Sequence, residues 1–203
     1  MVPELLIDFH RADRKNRNGY FIILSGPSGV GKNTLLSRIL KDLSGVYYMP
    51  SATTRPMRPG ESQLNPYAFI STAEFEAMIE QGQFLEWKKI HTNAYYGTHL
   101  PTIQYAIDNG YDIITDMDVL GCADAMEVFP EHIRTIFISP PSMAELSNRL
   151  YGRDTDPANI EQRLSRAELE LNCRDSYDYL IVNDDLDLCA KELTQIIRSI
   201  TAN

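Results

Sequence analysis

Little in this chain suits it to a membrane, a disulfide scaffold or a polyanion. Its three cysteines, Cys122, Cys173 and Cys189, lie far apart without paired metal-ligand spacing. That speaks against a structural zinc site and fits a reducing compartment better than a disulfide framework. No apolar run approaches the roughly 20 residues of a spanning helix, and the opening Leu5-Leu6-Ile7 is cut short by Asp8, too soon for a secretory signal. The expectation is a cytoplasmic protein without membrane association. Positive charge is also short, with 19 Lys and Arg against 28 Asp and Glu and a formal net charge of −9. Nucleic acid polymers and anionic lipids need the opposite balance, so they are not expected partners. An anionic ligand must therefore be met by a local cluster of cations. Such an acidic chain is compatible with a monomer or a homodimer.

What is present is an ordinary globular composition, 43% hydrophobic and 23% charged over 203 residues, enough for one α/β domain with inserted lobes. Strand-like runs at Phe21–Leu24, Asp112–Thr115, Thr135–Ile138 and Leu180–Val182 alternate with helical patterns at Lys32–Leu43, Pro101–Asn109, Leu120–Val128, Ser142–Leu150 and Leu186–Ile200. This alternation predicts a three-layer α/β core around a mainly parallel sheet. Residues 51–100 break it, being rich in Pro, Tyr and Thr, with a helix expected over Thr72–Gln81 between short strands. Residues 151–173 break it again, where Asp156-Pro157 offers an N-cap and first-turn proline for a charged helix bearing Arg163 and Arg166. The expected organisation is a leader over 1–18, a core over 19–50, 101–150 and 174–203, an inserted lobe over 51–100 and a lid over 151–173. The leader carries Arg11, Arg14, Lys15 and Arg17, which suit either a docking arm or a loose terminus, and the loose terminus is the expectation.

The most informative segment is Tyr20-Phe-Ile-Ile-Leu-Ser-Gly-Pro-Ser-Gly-Val-Gly-Lys-Asn-Thr34, an apolar strand entering a glycine-rich loop. Gly26, Gly29 and Gly31 permit backbone angles that turn successive N–H groups inward around phosphate oxygens. The helix beginning near Gly31 points its positive dipole end at the same place, and Lys32 adds a full charge. This is the pattern of a nucleotide phosphate loop (P-loop), Gly26-x4-Gly31-Lys32, with Asn33-Thr34 where Ser or Thr usually follows the lysine directly.

Two further clusters suit phosphate chemistry. Asp112-Ile-Ile-Thr-Asp-Met-Asp118 is an apolar strand ending in acids, and alternation puts Asp116 and Asp118 on one side, where they could manage magnesium. Ser51-Ala-Thr-Thr-Arg-Pro-Met-Arg-Pro-Gly-Glu61 holds Arg55 and Arg58 on a proline-extended path, and arginine forks match phosphate bidentately.

Together with Phe84-Leu-Glu-Trp87, Tyr95-Tyr-Gly-Thr98, Asp116-Met-Asp-Val-Leu-Gly121, Ser139-Pro-Pro-Ser142 and Ile181-Val-Asn-Asp-Asp-Leu-Asp187, these segments resemble the guanylate kinases over residues 20–200. The resemblance implies transfer of the γ-phosphoryl group of ATP to GMP, and to dGMP, with Mg2+. By position, Gly26, Pro27, Ser28, Gly29, Val30, Gly31, Lys32, Asn33, Thr34, Arg149 and Asn183 would meet ATP. Ser51, Arg55, Arg58, Glu61, Tyr67, Glu86, Tyr96, Thr98 and Asp118 would meet GMP, making 51–100 the GMP-binding lobe. Lys32, Arg58, Asp118, Arg153 and Arg163 would be catalytic, and Asn33 and Asp116 would hold the metal. An ionised Glu86 only accepts hydrogen bonds, so it suits the N1 and N2 donors of guanine and not the N1 acceptor of adenine.

The pattern departs from the family at Asn33, at Leu64-Asn-Pro-Tyr67, where Gly-x-Asp-Tyr is usual, and at Leu120. Two relatives share parts of it. Kinases of a phosphorylated ribose have a similar loop but no use for a guanine site at Ser51, Glu86 and Thr98. Phosphopeptide-binding scaffolds could use the same arginines and tyrosines without catalysis.

Overall fold

The computed structural model describes residues 6–90, 93–152 and 156–202. The expected strand–helix alternation is present. In chain order come β1 (Phe21–Ser25), α1 (Lys32–Ile39), β2 (Val46–Tyr48), β3 (Ser51–Thr53), β4 (Ser62–Gln63), β5 (Pro66–Phe69), α2 (Thr72–Glu80), β6 (Phe84–Lys89), β7 (Tyr95–His99) and α3 (Leu100–Asp108). These are followed by β8 (Asp112–Asp116), α4 (Val119–Val128), β9 (Ile133–Ser139), α5 (Met143–Tyr151), α6 (Pro157–Leu171), β10 (Tyr179–Val182) and α7 (Leu186–Thr201). One five-stranded sheet has the order β10-β9-β1-β8-β2, the other β4-β5-β3-β7-β6. In the first, β10 runs parallel to β9 and β2 parallel to β8. No helix among the described residues is long and apolar enough to cross a membrane.

The chain divides into two units. One comprises Met1–Phe21, Gly45–Thr115 and Asp124–His132. It contains the second sheet, whose antiparallel β3–β7 and β7–β6 pairings bring Glu86 opposite Thr98. Helix α2 starts with a capping box: the Ser71 side chain takes the Glu74 N–H while Glu74 takes the Ser71 N–H, satisfying two end donors at once. Phe75 from this helix packs with Ala52 and Tyr95 in a small core. Its ring stacks on Phe84 at 4.2 Å and on Tyr95 at 5.1 Å.

In the same unit, residues 6–18 are held in place, unlike the loose leader expected. Arg17 grips Asp112 through two hydrogen bonds of 2.9 and 3.0 Å, and the Tyr20 N–H adds a third at 2.8 Å. Lys15 N–H donates to Gly110 O. Phe9 stacks on Tyr111 at 4.7 Å. The expectation of a loose terminus came from its position at the chain end, but a buried acid at the start of β8 supplies the anchor.

The other unit comprises Ile22–Ser44, Asp116–Ala123 and Ile133–Asn203. Here β1 is buried along its whole length, as a continuous apolar run should be in a parallel sheet. Leu146 and Leu150 of α5 pack on Ile160 and Ala167 of α6. Helix α1 ends at Ile39, four residues short of the expected Leu43. Asp42 and Ser44 disfavour continuation, Gly45 takes φ +73°, and Leu43 is buried from the turn without needing the helix.

Candidate active site

The phosphate loop links β1 to α1 through glycines that tolerate no side chain. Gly26 lies at φ +134°, and a Cβ there would stand 2.2 Å from the carbonyl oxygen of Ile138. Gly31 lies at φ +107° as the N-cap of α1, and a Cβ would stand 2.7 Å from Asn183 Nδ2. The reason for that closeness is a strut: buried Asn183 donates Nδ2–H to Val30 O at 2.8 Å. Its own backbone N–H is taken by Ser139 O at 2.8 Å. Asn183 thus braces the loop, leaving its amide oxygen as the group it can offer a nucleotide.

Lys32 folds back on this loop, donating to Gly26 O at 2.5 Å and Pro27 O at 3.3 Å. Its ammonium is pushed below the usual lysine range, chiefly by burial, against the opposing pull of Asp116, Glu170 and Asp118. A polyphosphate offers what those carbonyls lack, full negative charge for a desolvated cation. Ser28 Oγ accepts from Arg163 of α6 at 2.9 Å, so a lid arginine already contacts the loop. Helix α6 starts at the expected Asp156 cap, with Pro157 in its first turn. Arg149 donates to Glu145 of its own helix at 2.9 Å. Arg153 lies outside the described residues.

Asp116 ends β8, and Asp118 caps α4, its Oδ1 taking the Gly121 N–H at 3.0 Å. Its Oδ2 accepts from Arg166 at 3.1 Å, and Arg166 also donates to Glu170 at 2.8 Å. Neither Arg166 nor Glu170 was singled out in the sequence as a site residue. The available signal was spacing, since Arg163, Arg166 and Glu170 lie three and four residues apart on one helix face. Asn33 and Thr34 are exposed on the first turn of α1. With Asp116 they provide hard oxygen donors that fit Mg2+, which binds through one or two protein oxygens plus substrate phosphates. Among the described residues no group of three or more His, Cys, Asp or Glu forms a metal cage, and a metal arriving on a nucleotide requires none.

In the other unit, Arg55 is the hub. Thr54 N–H bonds to Tyr95 O, Tyr95 N–H to Thr54 Oγ1 and Thr53 Oγ1 to Tyr95 O, which ties the start of the arginine loop to β7. The Arg55 guanidinium spans Glu61, donates Nε–H to Tyr96 Oη at 3.2 Å and lies 5.3 Å from the Tyr67 ring centroid. The Tyr67 and Tyr96 rings meet edge-to-face at 5.5 Å. Glu61 accepts the Arg58 N–H at 2.7 Å, while the Arg58 side chain is exposed. The departure at Leu64-Asn-Pro-Tyr67 is accommodated by Leu64 at φ +67° and a cis Asn65–Pro66 peptide.

Glu86 on β6 accepts the Thr98 hydroxyl at 2.7 Å. Thr98 is buried at 2% exposure, so the orientation of one Glu86 oxygen is set from below. Ser51 and Tyr67 sit opposite each other on β3 and β5. Of the sequence-selected residues of the lobe, Ser51, Tyr67, Glu86, Tyr96 and Thr98 lie on one sheet and Arg55, Arg58 and Glu61 on the loop after β3, while Lys32 and Arg163 both contact the phosphate loop.

The family model for guanylate kinase matches residues 18–200. The chain is similar to the guanylate kinase of Haemophilus influenzae, 43% identical over 89% of this chain and 88% of that one. It is also similar to that of Novosphingobium aromaticivorans, 40% identical over 93% and 85%. Its fold is similar to the crystal structure of guanylate kinase from Anaplasma phagocytophilum, with a TM-score of 0.73 and 28% identity over 92% of this chain and 88% of that one. The glycine-cradled lysine, the lid arginine on Ser28 and these matches lead to one assignment: the chain belongs to the guanylate kinase family and is an enzyme of the phosphotransferase type.

Proposed function

We propose that the chain transfers the γ-phosphoryl group of ATP to GMP, and to dGMP, giving ADP and the nucleoside diphosphate. The observation that carries this reading is the carboxylate of Glu86 held by Thr98. An ionised Glu86 only accepts hydrogen bonds, which suits the N1–H and N2–H of guanine, and adenine has no such pair of donors. A site that demands a donor can reject an analogue lacking it by about 10⁴-fold or more. Arg55, Arg58, Tyr67 and Tyr96 take the GMP phosphate.

On the donor side, the N–H groups of the phosphate loop and Lys32 hold the β- and γ-phosphates. Arg163 exchanges Ser28 for phosphate oxygen as negative charge spreads over the moving group. The acceptor phosphate is itself the nucleophile, so no covalent enzyme intermediate is formed. Asn33 and Asp116 would hold Mg2+ arriving with ATP, and the ion would supply charge neutralisation for the phosphates. Lid residues exclude water, which would otherwise accept the phosphoryl group.

The test is ADP release with GMP, dGMP, AMP and ribose 1,5-bisphosphate precursors as acceptors. Turnover with GMP and dGMP only is expected. Preference for the sugar phosphate, or ATP turnover with none of the four, overturns the proposal.

A further inference from the structure

The structure assigns to Arg166 a role as a positioning residue that acts on the transfer site through Asp118. Arg166 donates from two different nitrogens to two different acids, Nη2 to Asp118 at 3.1 Å and Nε to Glu170 at 2.8 Å. Glu170 is buried at 7% exposure, and a buried carboxylate needs such a partner. It is therefore a fixed post from which the guanidinium reaches outward. Asp118 is gripped at both oxygens: Oδ1 by the Gly121 N–H at 3.0 Å, Oδ2 by Arg166. With one oxygen set by backbone and the other by a planar fork, carboxylate rotation is arrested. Lys32 feels all three groups, Asp118 and Glu170 pulling on its charge and Arg166 opposing them.

One turn earlier on the same helix, Arg163 meets Ser28. The face of α6 thus places one arginine on the phosphate loop and a second on the acid motif. Loss of Arg166 removes the hold on Asp118 Oδ2 and leaves buried Glu170 without its helix partner, so the acid motif loses its fixed geometry. The Arg166 side chain is 56% exposed, so its pair with Asp118 contributes little to global stability; its loss beside buried Glu170 lowers stability, which the melting temperature reads separately from kcat.

This inference rests on the reading of Asp118 as part of the transfer site. The test is a double-mutant cycle of Arg166→Ala and Asp118→Asn in the full chain, with kcat, KM for ATP and melting temperature measured, using the acceptor that the unaltered protein turns over fastest. Arg166→Ala is expected to lower kcat about 10- to 100-fold with little change in KM for ATP. In the Asp118→Asn background it is expected to cost no more than about twofold. Arg166→Lys, one compact ammonium that cannot serve both acids, is expected to recover part of the loss. Equal fold losses in both backgrounds, unchanged kcat, or no recovery by Lys overturns the inference. Should Arg166→Ala fail to fold, the same cycle with Arg166→Lys decides the matter. Failure of the GMP reading would show instead in the unaltered protein, as a different best acceptor.

Discussion

Arg55 sets both terminal nitrogens of its fork on Glu61, Nη1 to Oε2 at 2.9 Å and Nη2 to Oε1 at 2.8 Å. Each residue pushes the other's titration outward: the hydrogen bonds from Arg55 hold Glu61 below the usual carboxylate range, and those to Glu61 raise Arg55. Nη1 also donates to Pro56 O, and Nε to Tyr96. Most of the donors of Arg55 are thus engaged within the protein, whereas Arg58 extends an exposed side chain from a loop whose N–H is fixed on Glu61.

The two arginines should therefore separate in experiment. Arg58→Ala is expected to raise KM for GMP at least tenfold, about the value of one charge-assisted hydrogen bond, with no change in melting temperature. Arg55→Ala is expected to raise KM and also to lower the melting temperature, because Glu61 and Tyr96 lose their partner. Calorimetric melts beside steady-state kinetics of both variants check this pairing.

Lys32→Ala removes the one full charge within the phosphate loop. Loss of a positioned cation of this kind costs about 10³-fold or more in phosphoryl transfer. Because burial already disfavours the ammonium, the variant should keep its melting temperature within a few degrees. The paired measurement is single-turnover transfer and thermal unfolding.

The Arg17–Asp112 pair is a stability element. Asp112 is fully buried, and the Arg17 side chain is 21% exposed. Arg17→Ala leaves a buried carboxylate without its counter-charge, which costs about 3 kcal/mol. For a chain of this size the melting temperature should fall roughly 6–12 °C. The Arg17→Ala/Asp112→Ala double variant should regain part of that loss, since it removes the orphaned charge.

His99 gives the fold a pH dependence. It is 1% exposed, with Nδ1 2.7 Å from Thr102 Oγ1, and burial pushes its imidazole down to about 4. The unfolded chain protonates near 6.5, so between pH 6.5 and about 4 it binds a proton that the fold refuses. Stability from this residue is complete above pH 6.5 and declines as pH falls toward 4, by on the order of 3 kcal/mol at most. Urea unfolding at pH 7, 5.5 and 4 should show that decline, and His99→Gln should flatten it.

What could be read from the sequence was local. The phosphate loop announces itself because strand, glycine turn and helix are contiguous, and the start of α6 because Asp156-Pro157 is a cap with its first-turn proline. Non-local relationships were hidden. Nothing within Phe84–Lys89 says that Glu86 faces Thr98; the β6–β7 pairing and its irregularity between Phe84 and Glu86 decide that. Asp112 reads as an ordinary strand end until Arg17, 95 residues away, is brought to it. Asn183, assigned to the nucleotide by resemblance, spends its amide N–H on Val30, a partner 153 residues distant. The early end of α1 was missed because Leu43 continues the apolar spacing while Asp42, Ser44 and Gly45 end the helix.

The central claim, that the Glu86 carboxylate selects guanine, is tested most directly by kcat/KM for GMP in Glu86→Gln, with KM for ATP measured alongside. Two charge-assisted hydrogen bonds are altered, each contributing roughly 1.5–3 kcal/mol. A fall of at least about 10²-fold for GMP with KM for ATP unchanged is the predicted result. Equal losses toward GMP and ATP would contradict it.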